Sequence, residues 1–451
     1  MMKPLIPVIA VLLTFGGVLL ADRSESGTPR VMQGPMLGAV APNSQRVWAR
    51  LSGDFNAEIV YWEDRPEADR QRAVLKPAGR PGDFTRIADL KGLNPSTRYH
   101  YIVEIEERGD RYLGKRPPFR FQTPESVSGR FRVGFGSCAR FAQDRVQPIW
   151  KAVQVARPDF FIWLGDNIYG DSLLPSILAE EYQRQRDVAS LQPVLHSIPQ
   201  LATWDDHDFG LNDHDRTNPV ADAARELFQG FWANPPYANA EDSVYFQYHY
   251  RGIDFFFLDN RSFRDPYFME DGPGKTQLGE MQLDWLKTAL KASTSPFKFL
   301  VCGGGWTSLK GPEGDSWAAF LHERNALFDW IMEEGIEGVV LMSGDTHRAE
   351  VNRIHWSERG GYDLTEFVSS PLAQEPSRHL RTMPEGLQPK ESALITPYIR
   401  SPNFGLLTVD PDPDNGQVHF TLINDQGQKT GPPVVLKIQD LRINEKNELP
   451  L

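Results

Sequence analysis

Pro158 to Asp171 read PDFFIWLGDNIYGD, and the fold turns on this stretch. Its apolar run, Phe160-Phe161-Ile162-Trp163-Leu164, is too short for a globular helix and rich in aromatic and branched side chains. Such a run predicts a buried strand. It stops at Gly165, with Asp166 and Tyr169 close behind. In α/β proteins the ligand site lies just beyond the carboxyl ends of parallel strands. A glycine there lets the backbone turn sharply, so that Asp166 is expected to point into that site. Taken alone, the pattern also describes a solvated turn aspartate behind a core strand. What gives it weight is that apolar runs ending in acidic or histidine residues recur downstream.

Outward from this strand, helices and strands alternate. Phe131 to Phe135 is predicted as a strand leading into Gly136-Ser137-Cys138-Ala139-Arg140. Gln147 to Ala156 is predicted as a helix, with Pro148 tolerated in its first turn. Ile198 to Trp204 leads into Asp205-Asp206-His207-Asp208, and Gly252 to Asp259 into Asn260-Arg261. Gly279 to Leu290 has helical spacing, with Met281, Leu283, Trp285, Leu286 and Leu290 available to the core face. Phe297 to Cys302 runs into Gly303-Gly304-Gly305-Trp306, and Ile336 to Met342 into Ser343-Gly344-Asp345-Thr346-His347-Arg348. Val418 to Asn424 and Pro433 to Ile438 read as closing strands. Pro371 to Arg400 is proline-containing and aperiodic, a long loop of the kind that borders substrates. Residues 130–440 therefore form one α/β domain.

Residues 28–124 read as all-β, with strands at Arg46 to Leu51, Ala57 to Trp62 and Tyr101 to Ile105 between turn-rich segments. Leu93 to Val103, LNPSTRYHYIV, resembles the turn and strand of fibronectin type III-like sandwiches, where Tyr99 or Tyr101 would close the corner between sheets. Pro124 to Arg130 is the expected linker. The chain of 451 residues has a net charge of −12. That argues against nucleic acid as the main partner, and disfavours an anionic substrate unless bound cations reverse the local field. Residues 1–21 resemble a secretory signal peptide: one Lys, an apolar run from Leu5 to Ala21, then polar residues. An uncleaved anchor is the alternative. The expectation is export to the periplasm or beyond, with no stable membrane partner if the segment is cleaved. Two cysteines, Cys138 and Cys302, leave a disulfide open in an oxidising compartment.

Cys138, Asp166 with Tyr169, Asp205 to Asp208, and Asp345 with His347 each follow an apolar run. Any one could be a cap or a solvated turn. Together they supply the donor types that metal ligation requires. The ordered set GSC, GDNIY, WDDHD, LDNRSFR and SGDTHR, behind a small β region, resembles the PhoD-like alkaline phosphatases of the calcineurin-like metallophosphoesterase superfamily, over about residues 30 to 425.

The resemblance implies a four-layer α-β-β-α sandwich preceded by a fibronectin/Ig-like β domain. It also implies a two-metal phosphatase that hydrolyses monoesters, diesters or both with a metal-activated hydroxide. Carried over, Asp166 is the bridging carboxylate, and Cys138, Tyr169 and His347 hold ferric iron. Asp206 and Asp345 serve a second ion, whose sphere water or Asn212 would complete, and Asp205 is the alternative to Asp206. His207 is the general acid, and Arg140 and Arg261 neutralise the transition state. A structural ion pair with Asp is the other reading of both arginines. The sulfur, phenolate and imidazole donors suit iron. The all-oxygen set suits calcium or another divalent ion such as Zn2+, Mn2+ or Mg2+. Which of Asp205 and Asp206 faces the metal stays open, because neighbours on a strand point opposite ways. The expected partner is a phosphate-ester small molecule, with nucleic acid at most a diester substrate. A phospholipase-type hydrolase and a non-catalytic calcium-binding adhesion module are the alternatives.

Overall fold

The structure, a computed structural model, describes residues 28–106, 108–109, 118–308, 315–376, 392–394 and 399–443. The expected leader at 1–21 and most of the loop between Pro371 and Arg400 lie outside the described residues. No helix among those described is long and apolar enough to cross a membrane.

The first nine strands are β1 (Val31–Ala41), β2 (Ser44–Leu51), β3 (Ala57–Glu63), β4 (Gln71–Val74), β5 (Lys76–Pro77), β6 (Thr85–Lys91), β7 (Arg98–Ile105), β8 (Arg108–Gly109) and β9 (Phe119–Gln122). They form two sheets, β1-β2-β6-β5 and β4-β3-β7-β8, with β9 on the second edge of β7. Alternate residues of β7, from Tyr99 to Ile105, are buried in a core with Leu37, Val47 and Ile59. The two tyrosines divide their work. Tyr99 Oη accepts the backbone N–H of Asn94 at 2.8 Å, so Tyr99 holds the corner. Tyr101 Oη donates to the His196 carbonyl at 2.8 Å, which ties the β unit to the rest of the chain. Tyr99→Phe is expected to cost about 1 kcal/mol, read as a lower denaturant midpoint at unchanged m-value. An unmoved midpoint would mean that the corner bond contributes nothing.

The chain continues through β10 (Phe131–Gly136), α1 (Ile149–Ala156), β11 (Phe160–Leu164), α2 (Pro175–Arg186), α3 (Gln192–Ser197), β12 (Gln200–Thr203), α4 (Asp206–Phe209) and α5 (Ala221–Phe231). It then forms β13 (Phe246–Tyr250), β14 (Ile253–Phe257), α6 (Glu280–Ala292), β15 (Lys298–Val301), α7 (Leu321–Glu333) and β16 (Val339–Ser343). The last strands are β17 (Glu350–Ile354), β18 (Leu364–Val368), β19 (Ser392–Leu394), β20 (Asn403–Asp410), β21 (Gln417–Asn424) and β22 (Lys429–Lys437). One sheet has the order β12-β11-β10-β20-β21-β22, the other β13-β14-β15-β16-β18-β17-β19. This is a mixed α/β fold.

β11 shows how the sheets are covered. Phe160, Ile162 and Leu164 join a cluster with Phe255, Phe299 and Val301 of the other sheet, and the Phe160 and Phe255 rings lie 5.4 Å apart. Phe161 and Trp163, on the opposite face, pack with Trp150, Leu178, Tyr182 and Phe228 of helices α1, α2 and α5. The two-residue period of a strand thus fills two cores at once, which is why the run reads as continuously apolar.

Three expectations shift. α1 begins at Ile149, with Pro148 ahead of it as its cap. On α6 Met281 is 55% exposed, because Gln282 takes the inward position and bonds the N–H and carbonyl of Asp259 at 2.8 and 2.7 Å. The segment from Pro371 to Arg400 is not loop throughout, since β19 pairs with β17.

β10, β11 and β12 run parallel, as do β14, β15, β16 and β18. Their carboxyl ends meet. Gly344 N–H donates to Gly303 O at 2.9 Å and Cys138 N–H to Gly165 O at 3.3 Å, while Asp345 N–H reaches Ser137 Oγ at 3.1 Å. Gly165, at φ 82°, must be glycine for two reasons. Its φ is left-handed, and a Cβ there would sit 2.5 Å from Cβ of Asp205.

Candidate metal centre

Four residues at these strand ends, Cys138, Asp166, Asp345 and His347, have φ values of 63°, 49°, 62° and 51°. Residues with a Cβ rarely hold such values, and where they do they cluster at functional sites. The backbone is bent here so that these side chains converge.

Asp166 lies at the centre of the convergence. Its Oδ2 is 3.3 Å from Cys138 Sγ and 3.2 Å from Tyr169 Oη. Tyr169 Oη is also 3.2 Å from His347 Nε2 and accepts from Gln374 Nε2 at 2.6 Å. Ligand atoms of Cys138, Asp166 and His347 lie within 4.8 Å of one another, and so do those of Asp166, Asp206 and His207. Asp166 is the member common to both groups. Asp345 faces the same space, since its charge acts on Cys138, Asp205 and Asp213.

His207 and Arg140 line the approach. His207 Nδ1 is 2.5 Å from Asp171 Oδ1, and its ring stands 4.1 Å from the Tyr169 ring between centroids. The Arg140 guanidinium lies 4.9 Å from the Tyr169 ring centroid, and its buried Nε has no hydrogen-bond partner.

The site carries more negative charge than its protein surroundings can balance. Burial, then the neighbouring Cys138, drives the Asp166 carboxyl well above its ordinary range. Burial, with Asp345 nearby, raises the Cys138 thiol to about 11, and burial with Asp166 raises the Tyr169 phenol. Asp205 stands at about 8: burial and the repulsion of Asp206 and Asp315 exceed the opposing pull of Arg261. Burial works against a charged His207, but Asp166, Asp206 and Asp171 outweigh it and raise the imidazole to about 11. Two carboxylate oxygens, Asp166 Oδ1 and Asp205 Oδ2, are buried with no hydrogen-bond partner. Orphaned acceptors are costly, and a cation would satisfy both. The residues present therefore fit a metal centre.

Of the two readings of Arg261, the structural ion pair is the one its surroundings match. It is fully buried and held by ion pairs to Asp205 and Asp315, with Nε 2.6 Å from Asp205 Oδ1. Its place is structural, inside the wall rather than facing an open site. Asn212 is exposed, and the loop reaches Asp206 Oδ2 instead through the N–H of Asp213, at 2.7 Å. Asp205 and Asp206 do not alternate as on a strand, because β12 ends at Thr203 and Asp205 caps α4 in a capping box with Asp208. The cap reading thus holds for Asp205 and Asp208, while Asp206 joins the Asp166 group. Cys138 and Cys302 are both free thiols. Asp171, Ser137, Gln374 and Asp315 were not anticipated. Asp171 closes the GDNIYGD run, Ser137 is the middle residue of GSC and Gln374 lies in the segment from Pro371 to Arg400, whereas Asp315 falls in none of these stretches.

A sequence model described as PhoD-like phosphatase matches residues 133–420. The chain is 22% identical over 371 residues to alkaline phosphatase D of Bacillus subtilis (strain 168). That alignment covers 68% of this chain and 63% of the relative, so the chain spans somewhat under two thirds of its length. The solved structure of PhoD superposes with a TM-score of 0.72 at 17% identity, over 93% of each chain.

Proposed function

Because this chain belongs to the PhoD-like phosphatase family, we propose that it is an exported phosphoric ester hydrolase that depends on two cations. Cys138, Asp166, Tyr169 and His347 would hold ferric iron. Asp166, Asp206 and Asp345, with the free oxygen of Asp205, would hold calcium or a similar hard divalent ion. Under this reading the two large sheets and their helices form an α-β-β-α sandwich, residues 28–124 an Ig-like support, and residues 1–21 a leader. The observation that carries the proposal is the orphaned pair of carboxylate oxygens, Asp166 Oδ1 and Asp205 Oδ2, at the junction of the parallel strand ends.

When bound, the cations supply positive charge for the phosphoryl oxygens and acidify water. They also let an acidic protein accept an anion. The chain's own residues do the rest. Asp171 fixes His207 through Nδ1, which leaves Nε2 to carry the proton toward the leaving oxygen. Arg140, whose buried Nε has no hydrogen-bond partner and whose guanidinium lies 4.9 Å from the Tyr169 ring centroid, would neutralise charge on the phosphoryl group. Gln374 Nε2 donates to Tyr169 Oη, a bond that would persist with Tyr169 as a phenolate and orient its oxygen.

The test is turnover of 4-nitrophenyl phosphate and bis(4-nitrophenyl) phosphate by protein loaded with iron and calcium. A loaded protein that cleaves neither would end the hydrolase reading. His207→Asn is expected to lower kcat on alkyl phosphates by roughly 10²–10⁴-fold, and much less on 4-nitrophenyl phosphate, whose leaving oxygen needs no proton. Equal losses on both would remove the acid role from His207.

A further inference from the structure

The two segments that carry Asp171 and His207 also carry exposed apolar side chains. Leu173, Leu174 and Ile177 are 39%, 59% and 38% exposed, and Leu211 is 40% exposed. The first three lie two, three and six residues past Asp171, the partner of His207, and Leu211 lies four residues past His207. Backbone bonds hold the two segments side by side: Gly170 N–H to His207 O and Ser172 N–H to Gly210 O, each 3.2 Å. The arrangement is built rather than frayed. The Leu174 N–H is taken by Ser172 Oγ at 3.0 Å. α2 buries Leu178 under Gly170 while turning Ile177 outward. Single exposed leucines are ordinary on a protein surface, but a group at the mouth of a site marks something apolar that binds there.

We propose that this edge receives the organic part of the substrate, and that the chain prefers phosphate esters of apolar alcohols, alkyl or aryl. The inference rests on the phosphoesterase reading and deepens it. His207 is the group that hands a proton to the departing alcohol, so the surface next to it meets that alcohol. Neither Asp171 to Leu178 nor Phe209 to Asp213 contains a Lys or Arg, so the edge has no charge to hold the further phosphates of a nucleic acid chain.

The experiment compares kcat/KM for ethyl, butyl, hexyl and octyl phosphate with iron- and calcium-loaded protein. These alcohols are nearly equal in acidity, so the chemistry stays constant while apolar area grows. Full burial of one methylene is worth about fourfold, and on an open edge about twofold is expected, or roughly 60-fold from ethyl to octyl. The Leu174→Asn/Ile177→Asn/Leu211→Asn protein should lose that trend, its octyl-to-ethyl ratio falling below about 5. Val155→Asn, at an exposed position on the helix that leads into the opposite end of β11, should keep it. If the triple exchange does not fold, each single exchange should still lower the ratio about two- to fourfold. A flat series in an active wild type overturns the inference alone, and so does a trend that survives the exchanges. A wild type inactive on 4-nitrophenyl phosphate as well overturns the phosphoesterase reading and the inference with it.

Discussion

Asp166→Ala is expected to lose both cations and essentially all turnover, with kcat/KM on 4-nitrophenyl phosphate down by roughly 10⁴-fold or more. Asp166 links the donor group of Cys138 and His347 to that of Asp206 and His207. Its Oδ2 meets Cys138 and Tyr169, and its Oδ1 has no protein partner. Removing it takes an acceptor from each cation. The effect on the fold should have the opposite sign. In chelator-treated protein the carboxyl is buried among other acids, which is why it is held well above its ordinary range. A buried acid with one oxygen unsatisfied costs stability, so the alanine protein should melt no lower than the wild type. Elemental analysis, turnover and a thermal midpoint read on the same preparations separate the outcomes. Metal and activity lost with the fold intact is the result the proposed centre requires. Iron and calcium retained at wild-type stoichiometry would remove Asp166 from the bridging role. A wild type that carries only calcium, and stays inert after iron is restored, would favour the adhesion-module reading.

The strand ends were legible because two independent signals coincide there. A short apolar run says strand, and a Gly-Asp step directly after it says a turn at a carboxyl edge. β11 spans Phe160–Leu164, the predicted run itself, since burial on both faces leaves no polar residue to blur its limits. Partnership across the fold was not legible. Arg261 in LDNRSFR and Arg140 in GSCAR look alike in sequence, each an arginine soon after a strand end. Only the fold brings Asp205 and Asp315 around the first and leaves Nε of the second unpaired. Asp315 lies 54 residues from Arg261, and no local pattern links them. Met281 failed for a similar reason. Its spacing suits a core face, but the strand end beneath α6 needed an amide, and Gln282 supplies it. The left-handed φ values at Asp166, Asp345 and His347 suit residue types that are enriched in that region, but such residues also serve in ordinary turns, so the sequence does not single these positions out, and Cys138 carries no such signal at all.

The buried ion pairs of Arg261 give the largest expected effect on stability. Arg261→Met keeps much of the side chain's volume but leaves Asp205 and Asp315 without their shared cation. Breaking a buried pair from one side costs about 3–5 kcal/mol, and that loss is expected in the denaturant midpoint of chelator-treated protein. Part of Asp315 is still held by Arg264, 2.5 Å away, which argues for the lower end. The pH dependence has a definite sign. With Arg261 present, burial still sets the Asp205 carboxyl at about 8, above its unfolded value. That group therefore favours folding at low pH and loses its contribution as pH rises to about 8. Without Arg261 the folded value moves higher, so the loss continues past the point where the wild type levels off. The gap between variant and wild type should widen above about pH 8. A phosphate-clamping arginine would give the reverse pattern: an unchanged midpoint, a raised KM and no pH-dependent gap. Cation binding offers a third readout. Asp205 Oδ1 is fixed by Arg261 and by Asn260 Nδ2 at 2.8 Å, which leaves Oδ2 as its open oxygen. Loss of that orientation should weaken the second cation about 10–100-fold, while iron, held largely by Cys138, Tyr169 and His347, stays bound. One substitution would then separate the wall of the site from its contents.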